Sequence, residues 1–400
     1  GTISAAALIQ DRKVLRYIGK KYITARREMG FLVPSKGYEY ATIKGHKCAI
    51  IVGDDLSRER DFDQSVETVI SINARKYGKG TMTYRYEMMR NLAFVESKNL
   101  VLVNQVGGST DIVYDGTSGA LNSRGELVLM MKNFEEDFQI FDTKAAGEPV
   151  SIPSTYNDRT RLVYEAARCG LRDFFRKNGY RKASIGLSGG IDSAVAAALL
   201  KGALGTERVI TVYMPCHSIP LDGEHARLTA EALGLKMLTV DLSETYDVYR
   251  RTIGRVMEPS ALAGANIKPR LRMITVYSIA QTLGYLVCGT GNKDELTVGY
   301  FTKYGDGGSD FMPLADLTKA EVRAIARETG VPPPVIEKPP SAGLWEGQTD
   351  EQEMGLSYEV LDAYVSGQTI DEKSRREIER RKRISEHKRK MPPICVIDAV

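Results

Sequence analysis

The sequence is poor in the features that mark secreted, membrane-spanning and nucleic-acid-binding proteins. It has five cysteines in 400 residues, an odd number without a Cys-x-x-Cys pair, so a reducing, cytoplasmic setting fits best. No apolar run approaches the ~20 residues of a membrane span, and no signal peptide is visible. The net charge of +4 is small against 55 basic and 51 acidic residues, which argues against nucleic-acid and membrane partners. The chain opens on Gly1, as a processed or partial product would.

Composition and sequence pattern divide the chain into two regions. A hydrophobic content of 42% over 400 residues is enough for two or three domains. Residues 1–147 have the pattern of short strands joined by tight turns, with one long helix around residues 83–98. A linker containing Gly and Pro leads into residues 148–400, where apolar strands alternate with amphipathic helices. This alternation predicts an α/β domain, a doubly wound parallel sheet with helices on both faces.

The most informative motif is Gly-Leu-Ser-Gly-Gly-Ile-Asp-Ser at residues 186–193, between a predicted strand and a predicted helix. Small residues at 188–190 let the backbone approach a phosphate chain, and the following helix points unpaired N–H groups at the anion. Asp192 and Ser193 supply a metal ligand and a hydroxyl donor. The loop is shorter than a Walker loop and lacks the Gly-Lys-Ser/Thr of that loop. We expect ATP to bind here; a turn without a ligand is the plainer alternative.

A second polar block, residues 289–310, is dense in small residues, carboxylates and hydroxyls. The two motifs together carry a resemblance to a known family. The Ser-Gly-Gly-x-Asp-Ser loop resembles the pyrophosphate loop of the N-type ATP pyrophosphatases, which cleave ATP between its α- and β-phosphates. The run Phe-Thr-Lys-Tyr-Gly-Asp-Gly-Gly-Ser-Asp at 301–310, with further matches at 266–273 and 385–389, resembles NAD+ synthetase. The likeness extends from about residue 155 to residue 397.

This resemblance implies both a fold and a reaction. The implied fold of residues 148–400 is the adenine nucleotide α-hydrolase-like version of the doubly wound parallel sheet. The implied reaction adenylates the nicotinate carboxylate of deamido-NAD with ATP, releases pyrophosphate, and lets ammonia displace AMP to give NAD+. Because the carboxylate and the phosphate chain are both anions, Mg2+ and a lysine must neutralise their charge.

The resemblance also implies roles for individual residues. Asp192 and Glu295 match the Mg2+ positions, and together with Lys319 they are the expected catalytic residues. The expected ATP contacts are Gly186, Leu187, Ser188, Gly189, Gly190, Ile191, Asp192, Ser193, Thr290, Lys319 and Ser341. The expected deamido-NAD contacts are Asn266, Arg270, Glu295, Tyr300, Phe301, Thr302, Lys303, Asp310, His387 and Lys388. Taken singly, each has a plainer interpretation as a solvated charge or a turn cap, and only their joint occurrence favours a site.

Residues 1–147 resemble the second half of a nitrilase-like glutaminase, the domain that supplies ammonia in glutamine-dependent NAD+ synthetases. The expected fold of this region is therefore a partial αββα sandwich. The glutaminase chemistry needs a Cys nucleophile, a Glu base and a Lys. Gly53 occupies the position of the nucleophile, Lys20 is the match for the lysine, and the segment that carries the base is absent. Cys48 is interpreted as a buried strand cysteine.

The leading hypothesis is an NAD+ synthetase that uses free ammonia, with ATP and Mg2+ as co-substrate and cofactor. A glutamine-dependent synthetase with an intact glutaminase elsewhere is one alternative. Another N-type pyrophosphatase, such as a GMP or asparagine synthetase, is a second, and a non-catalytic nucleotide-binding protein is a third. The family's short forms imply a homo-oligomer, a dimer through the synthetase domain, in the cytoplasm.

Overall fold

The computed structural model describes residues 2–23, 28–36, 40–58, 62–144, 148–341, 343, 347–395 and 397. The chain divides into two units, Gly1–Phe174 and Phe175–Val400. The division falls inside helix Arg159–Lys177, whose first part packs with the first unit through Ala166 and Cys169. The domain boundary expected at residues 147/148 therefore stays a prediction.

The first unit is built mainly from strands. Its elements are β1 (Ala5–Gln10), β2 (Lys13–Gly19), β3 (Tyr40–Ile43), β4 (His46–Val52), β5 (Thr68–Asn73), α1 (Thr81–Glu96), β6 (Asn99–Asn104), β7 (Val106–Ser109), β8 (Ile112–Asp115), β9 (Gly119–Leu121) and β10 (Leu127–Met130), followed by α2 (Arg159–Lys177). The predicted helix at 83–98 agrees with α1 to within two residues at each end. The hairpins β1–β2 and β7–β8 form two small separate sheets.

A six-stranded sheet in the order β10-β9-β6-β5-β4-β3 carries the core of the first unit. Its central strands β4, β5 and β6 run parallel and are rich in Val, Ile and Leu. Burial alternates along β5 and β6, where Ile72 and Val103 on the other face are exposed. The outer pairs are antiparallel. Helix α1 lays Met89 and Leu92 against Leu100 and Leu102 of β6, all nearly inaccessible to solvent.

A buried ion pair fixes α1 to the last residue of β8. The Arg85 guanidinium donates to both Asp115 oxygens, from Nη1 to Oδ2 at 3.0 Å and from Nη2 to Oδ1 at 2.9 Å. Both side chains are only 2% exposed. Thr117 adds a hydroxyl donor at 2.8 Å and Asn104 an amide donor at 3.4 Å to the same carboxylate. The bidentate geometry and the additional donors compensate the loss of solvent around the two charges.

The second unit alternates strands and helices. After α2 its elements are β11 (Ala183–Gly186), α3 (Ile191–Leu204), β12 (Val209–Tyr213), α4 (Pro220–Leu233), β13 (Lys236–Thr239), α5 (Ser243–Gly254), α6 (Ala261–Ala265), α7 (Ile267–Leu283), β14 (Leu286–Cys288), α8 (Lys293–Val298), α9 (Lys319–Glu328), α10 (Pro333–Glu337), α11 (Asp350–Met354), α12 (Tyr358–Val365) and α13 (Glu372–Ile384). The strands pair in parallel in the order β13-β12-β11-β14, which confirms the predicted fold class. Within the described residues, no helix is both long enough and apolar enough to cross a membrane.

The strand order creates a switch point between β11 and β14. The chain moves outward from β11 through β12 to β13, then returns past β11 to add β14 on the other side. Because crossovers between parallel strands are right-handed, the two directions place their helices on opposite faces. Accordingly, Val212 and Val287 pack with Tyr246 of α5 and Val276 of α7, whereas α3 packs on the other face, against β11 and β12. A ligand is expected beyond the carboxyl ends of β11 and β14.

Arg85→Ala should lower the free energy of unfolding by about 3–5 kcal/mol, because the Asp115 carboxylate would be left buried without its counter-charge. Denaturant unfolding followed by circular dichroism measures the change. The matched control is Arg124→Ala, which removes an exposed pair with Glu126 and should change stability by less than about 1 kcal/mol. Similar effects of the two substitutions would contradict a structural role for the buried pair.

Candidate active site

The predicted phosphate loop lies between β11 and α3, at the switch point of the sheet. Helix α3 begins at Ile191, so the N–H groups of its first turn and the positive end of its dipole face the loop. The Ser193 hydroxyl accepts a hydrogen bond from the Ser188 amide at 3.2 Å and donates to the Gly190 carbonyl at 2.9 Å. Ser193 is 3% exposed, and these two hydrogen bonds fix the backbone conformation of the loop from its buried side.

Gly189 is the one position in this loop where only glycine fits. Its φ of +79° lies in the left-handed region, and an added Cβ would come within 2.2 Å of the Asp222 carbonyl oxygen. The first turn of α4 therefore packs directly on the backbone of the loop. A side chain at position 189 would force the loop and α4 apart.

The centre of the site is an ion cluster assembled from three helices. Lys319, the first residue of α9, places Nζ 2.5 Å from Asp192 Oδ2 of α3 and 3.8 Å from Glu295 Oε1 of α8. The Lys319 side chain is 1% exposed, against 19% for Asp192 and 15% for Glu295. Burial disfavours the ammonium, but the two carboxylates outweigh it and raise the pKa of Lys319. The lysine is therefore charged at neutral pH.

Asn292 joins the two carboxylates of this cluster. Its side-chain Oδ1 accepts from the backbone amides of Asp294 and Glu295 at 3.0 Å each. In return, the Glu295 carboxylate accepts from the backbone amide of Asn292 at 3.1 Å. This reciprocal pair is a capping box at the start of α8. The side-chain nitrogen of Asn292, Nδ2, donates to Asp192 Oδ1 at 3.0 Å. The fully buried Asn292 side chain thus caps the start of α8 and orients a carboxylate from α3.

Acidic groups outnumber basic groups around this cluster. The Tyr358 hydroxyl lies within hydrogen-bond distance of both Glu295 Oε1, at 3.2 Å, and Asp350 Oδ2, at 2.9 Å. Burial, and then the nearby Asp192 carboxylate, raise the pKa of Glu295 above its ordinary range, and burial does the same for the pKa of Asp350. Three carboxylates therefore surround one ammonium, which leaves the cluster short of positive charge.

The donor set fits a hard divalent cation. Asp192 and Glu295 offer carboxylate oxygens next to Lys319 Nζ, and a cation would relieve the crowding of acidic groups that in addition to burial raises the pKa of Glu295. No group of three or more His, Cys, Asp or Glu side chains in the described ranges is arranged to hold a metal by itself. This agrees with Mg2+, which is commonly bound by one or two carboxylates and completed by water and substrate phosphates.

A cavity of about 820 Å³ opens above the phosphate loop and the ion cluster. Most of the residues expected to contact ATP or deamido-NAD line it. They are Gly186, Leu187, Ser188, Gly190, Ile191, Asp192, Ser193, Thr290, Glu295, Ser341, Asn266, Tyr300, Phe301, Thr302 and Lys388. This volume lies in the upper part of the range for small-molecule sites, and the walls combine apolar and charged side chains.

The remaining predicted residues do not line this cavity. Gly189 and Lys319 do not line it, but each contacts a residue that does, Asp222 and Asp192 respectively. Arg270, Lys303 and His387 form a chain of contacts: Arg270 Nη2 is 3.5 Å from the Lys303 carbonyl, and Lys303 Nζ donates to the His387 carbonyl at 2.6 Å. Asp310 accepts from the Tyr277 hydroxyl at 3.0 Å and the Val287 amide at 2.7 Å, which ties it to β14.

Lys388 connects the C-terminal segment to the loop after α8. Its ammonium donates to the Gly299 and Phe301 carbonyls, each at 2.7 Å, while its side chain reaches the cavity. Desolvation lowers the pKa of Lys388. The predicted segment at 385–389 therefore contributes to the same cavity as the phosphate loop, almost two hundred residues earlier.

Several residues of the site were not among the predicted contacts. Asn292, Tyr358 and Asp350 support the ion cluster, and Asp222 and Lys338 form an ion pair in the cavity wall. For Asn292 a readable signal exists, since Asn-x-x-Glu at 292–295 is a capping-box pattern. No local pattern marks the others, because their partners lie many residues away in the chain.

Comparison with known proteins identifies the family to which the chain belongs. A family model described as NAD synthase matches residues 163–392. The chain belongs to the NAD synthase family. The expected kind of enzyme, an NAD+ synthetase that depends on ATP, is thus confirmed at the level of the family.

Relatives of this family cover the second unit at high identity. An NH3-dependent NAD+ synthetase from Carboxydothermus hydrogenoformans is 47% identical over 234 residues, which are 57% of this chain and 94% of that protein. An enzyme of the same description from Archaeoglobus fulgidus is 45% identical over 233 residues, 56% of this chain and 92% of that protein. Both matches exceed nine tenths of the relative's length, so the second unit is comparable to an entire ammonia-dependent relative.

A solved structure resembles both units together. It is a glutamine-dependent NAD+ synthetase from Acinetobacter baumannii, in complex with ADP, with 25% identity and a TM-score of 0.78. The match covers 99% of this chain and 79% of that one. The expectation of a partial nitrilase-like region in front of a synthetase domain is confirmed by this likeness.

In the first unit, the expected glutaminase lysine lies next to the position expected for the nucleophile, which is a glycine. Lys20 is buried, and its Nζ pairs with Glu28 Oε2 at 2.7 Å. A Cβ built on Gly53, whose φ is +62°, would lie 3.4 Å from Lys20 Cε and 3.5 Å from Nζ. The two positions identified from sequence thus face each other. Cys48 lies within β4, where burial raises the pKa of its thiol, so it does not replace the nucleophile.

Gly189→Ala should raise the KM for ATP or lower kcat by at least roughly a hundredfold, because the new Cβ would collide with the Asp222 carbonyl. Steady-state kinetics with varied ATP measures this. The control is Gly205→Ala at the other end of α3, where φ is +85° but nothing lies within 4 Å of the added Cβ. The control shares the backbone strain without the collision, so equal losses in both variants would contradict the packing argument.

Proposed function

We propose that the chain converts deamido-NAD to NAD+ with ATP and free ammonia, through a deamido-NAD adenylate and with release of AMP and pyrophosphate. The observation that carries the proposal is the buried Lys319 ammonium between Asp192 and Glu295, next to the phosphate loop at the switch point of the sheet. A non-catalytic nucleotide-binding protein would not need a buried ammonium flanked by two carboxylates in this position.

The first chemical step brings two anions together, and the residues of the site are suited to that problem. The nicotinate carboxylate attacks the α-phosphorus of ATP, the bond to the β-phosphate oxygen breaks, and pyrophosphate leaves with the electron pair. The amides at the start of α3 and the charge of Lys319 would stabilise the negative charge on the phosphate chain. Asp192 and Glu295 are the residues that would hold Mg2+, which when bound neutralises phosphate charge.

The second step requires no nucleophilic side chain. Ammonia attacks the activated carboxyl carbon, AMP leaves, and the proton released from the nitrogen passes to a base or to water. Because the site is partly closed by the cavity walls, the mixed anhydride would be protected from hydrolysis. Tyr300, Thr302 and Asn266 place polar groups in the cavity for the deamido-NAD part, and Thr302 Oγ1 lies 2.6 Å from Asn266 Oδ1.

Free ammonia is proposed as the nitrogen donor because Gly53 offers no nucleophile to a glutamine amide. The high identity to enzymes named NH3-dependent supports the same reading. The likeness to a glutamine-dependent enzyme argues for a shared fold and shared ancestry of the first unit. A glutamine-dependent reaction would need an intact glutaminase elsewhere as the source of ammonia.

Homo-oligomerisation and a cytoplasmic setting belong to the proposal as well. Arg270 and His387 are exposed although the family resemblance assigns them to deamido-NAD, and a second copy of the chain could complete a site around them. All five cysteines are free thiols, four of them buried, which fits a reducing compartment.

The decisive assay supplies deamido-NAD, ATP and Mg2+ with either ammonium or glutamine and follows NAD+ and AMP. We expect equal amounts of NAD+ and AMP with ammonium, and no NAD+ above background with glutamine alone. Omission of deamido-NAD is the control for adenylate-independent ATP cleavage. Formation of NAD+ from glutamine would overturn ammonia dependence, and failure with both donors would overturn the proposed reaction.

Asp192→Ala should reduce AMP and pyrophosphate release by roughly a hundredfold or more, since it removes a metal ligand and one partner of Lys319. Cys48→Ala is the matched control, and ammonium-dependent turnover should stay at the wild-type rate because the thiol lies outside the synthetase unit. Pyrophosphate release is measured with a coupled assay. Full activity of Asp192→Ala would remove this residue from the metal site.

A further inference from the structure

We propose that Asp222 and Lys338 are a pair of positioning residues that couples the phosphate loop to the segment carrying Ser341, and so sets the affinity for ATP. The inference deepens the proposed function, on which it rests, by assigning a role to two residues of the same cavity. Neither residue is among the expected ATP contacts. The pair acts by holding two parts of the nucleotide site in register.

On one side, Asp222 is fixed against the phosphate loop. It lies in the first turn of α4, and its carbonyl oxygen is the atom that a Cβ on Gly189 would meet at 2.2 Å. The next residue, Gly223, packs on Tyr213, whose ring and hydroxyl would lie 3.1–3.2 Å from an added Cβ. The backbone of Asp222 therefore cannot shift without moving the loop or the end of β12.

On the other side, Lys338 begins the segment that leads to Ser341. Its ammonium forms an ion pair with the Asp222 carboxylate, with side chains 17% and 14% exposed. Pro339 and Pro340 follow, and their fixed φ angles limit the freedom of the chain before Ser341. The Pro340 carbonyl accepts from the Asp350 amide at 3.1 Å, which anchors the far end next to α11.

These contacts make one continuous connection between the two halves of the expected ATP site. The phosphate loop is fixed to Asp222, Asp222 to Lys338, and Lys338 through two prolines to the Ser341 hydroxyl in the cavity. An ion pair at this degree of burial keeps its geometry better than an exposed one, because solvent screens it less and loss of one partner leaves a poorly solvated charge. We therefore expect the pair to act through the position of Ser341 and the loop.

The test measures both binding and turnover. Binding of Mg2+ and an ATP analogue with a methylene group between the α- and β-phosphates is followed by calorimetry, so that it is independent of the acceptor. Steady-state kinetics gives kcat and the KM values for ATP and deamido-NAD. The variants are Lys338→Met, Asp222→Asn, Lys338→Arg and the exchanged pair Asp222→Lys with Lys338→Asp. Arg227→Met is the control, because it removes an exposed pair with Glu231 on the same helix.

We expect Lys338→Met and Asp222→Asn each to weaken analogue binding and raise the KM for ATP about ten- to a hundredfold. The KM for deamido-NAD should change little, Lys338→Arg and the exchanged pair should recover most of the affinity, and Arg227→Met should behave as wild type. Thermal unfolding checks that each variant is folded, and the arginine variant keeps the test valid if Lys338→Met is not.

Tighter binding by Asp222→Asn would overturn the proposal, since it would mean that Lys338 is a phosphate ligand held back by the carboxylate. Unchanged binding in both single variants, or no recovery in the exchanged pair and the arginine variant, would also overturn it. Failure of deamido-NAD as a substrate, with analogue binding affected as expected, would contradict the proposed function and leave the positioning pair supported.

Discussion

The structure of the site depends on one electrostatic constraint, a lysine ammonium that is almost completely removed from solvent. Asp192 and Glu295 raise the pKa of Lys319 against the effect of its burial, and the ammonium in turn allows these two acidic groups to lie close together. Each partner begins or nearly begins a different helix. The contact therefore brings the starts of α3, α8 and α9 to one point, and the phosphate loop, the capping box of α8 and the cavity floor follow from that meeting point.

The first unit combines a buried core with the two positions that the sequence matches to a glutaminase site. Its sheet, its core and the buried Arg85–Asp115 pair are those of a folded domain. Lys20 still faces the position where a nucleophile would stand, and its charge is balanced by Glu28. Lys20 packs on Gly53 and pairs with Glu28, so its buried charge is compensated within the unit.

The sequence predicted those features that are local in the chain. The turn between a strand and a helix at residues 186–193 and the alternation of strands and helices are local patterns, and both appear where expected. Short apolar strands such as β5 are harder to predict, because they have no periodicity that separates them from other buried segments. The Asp222–Lys338 pair and the contact of the Tyr358 hydroxyl with Glu295 were not predicted for another reason. They join residues far apart in sequence, and only the fold brings them together.

Glu295 shows how closely folding and chemistry are joined here. One of its oxygens accepts the backbone amide that begins α8, and the other faces Lys319 and the Tyr358 hydroxyl. The carboxylate is thus shared between a helix end and a charge cluster, and a cation that draws it away would loosen the helix that carries it. A substitution at Glu295 therefore affects both the start of α8 and the charge cluster. Asp192 accepts only from the side chains of Asn292 and Lys319 among the contacts of the described residues, so a substitution there affects the cluster without removing the backbone cap of α8.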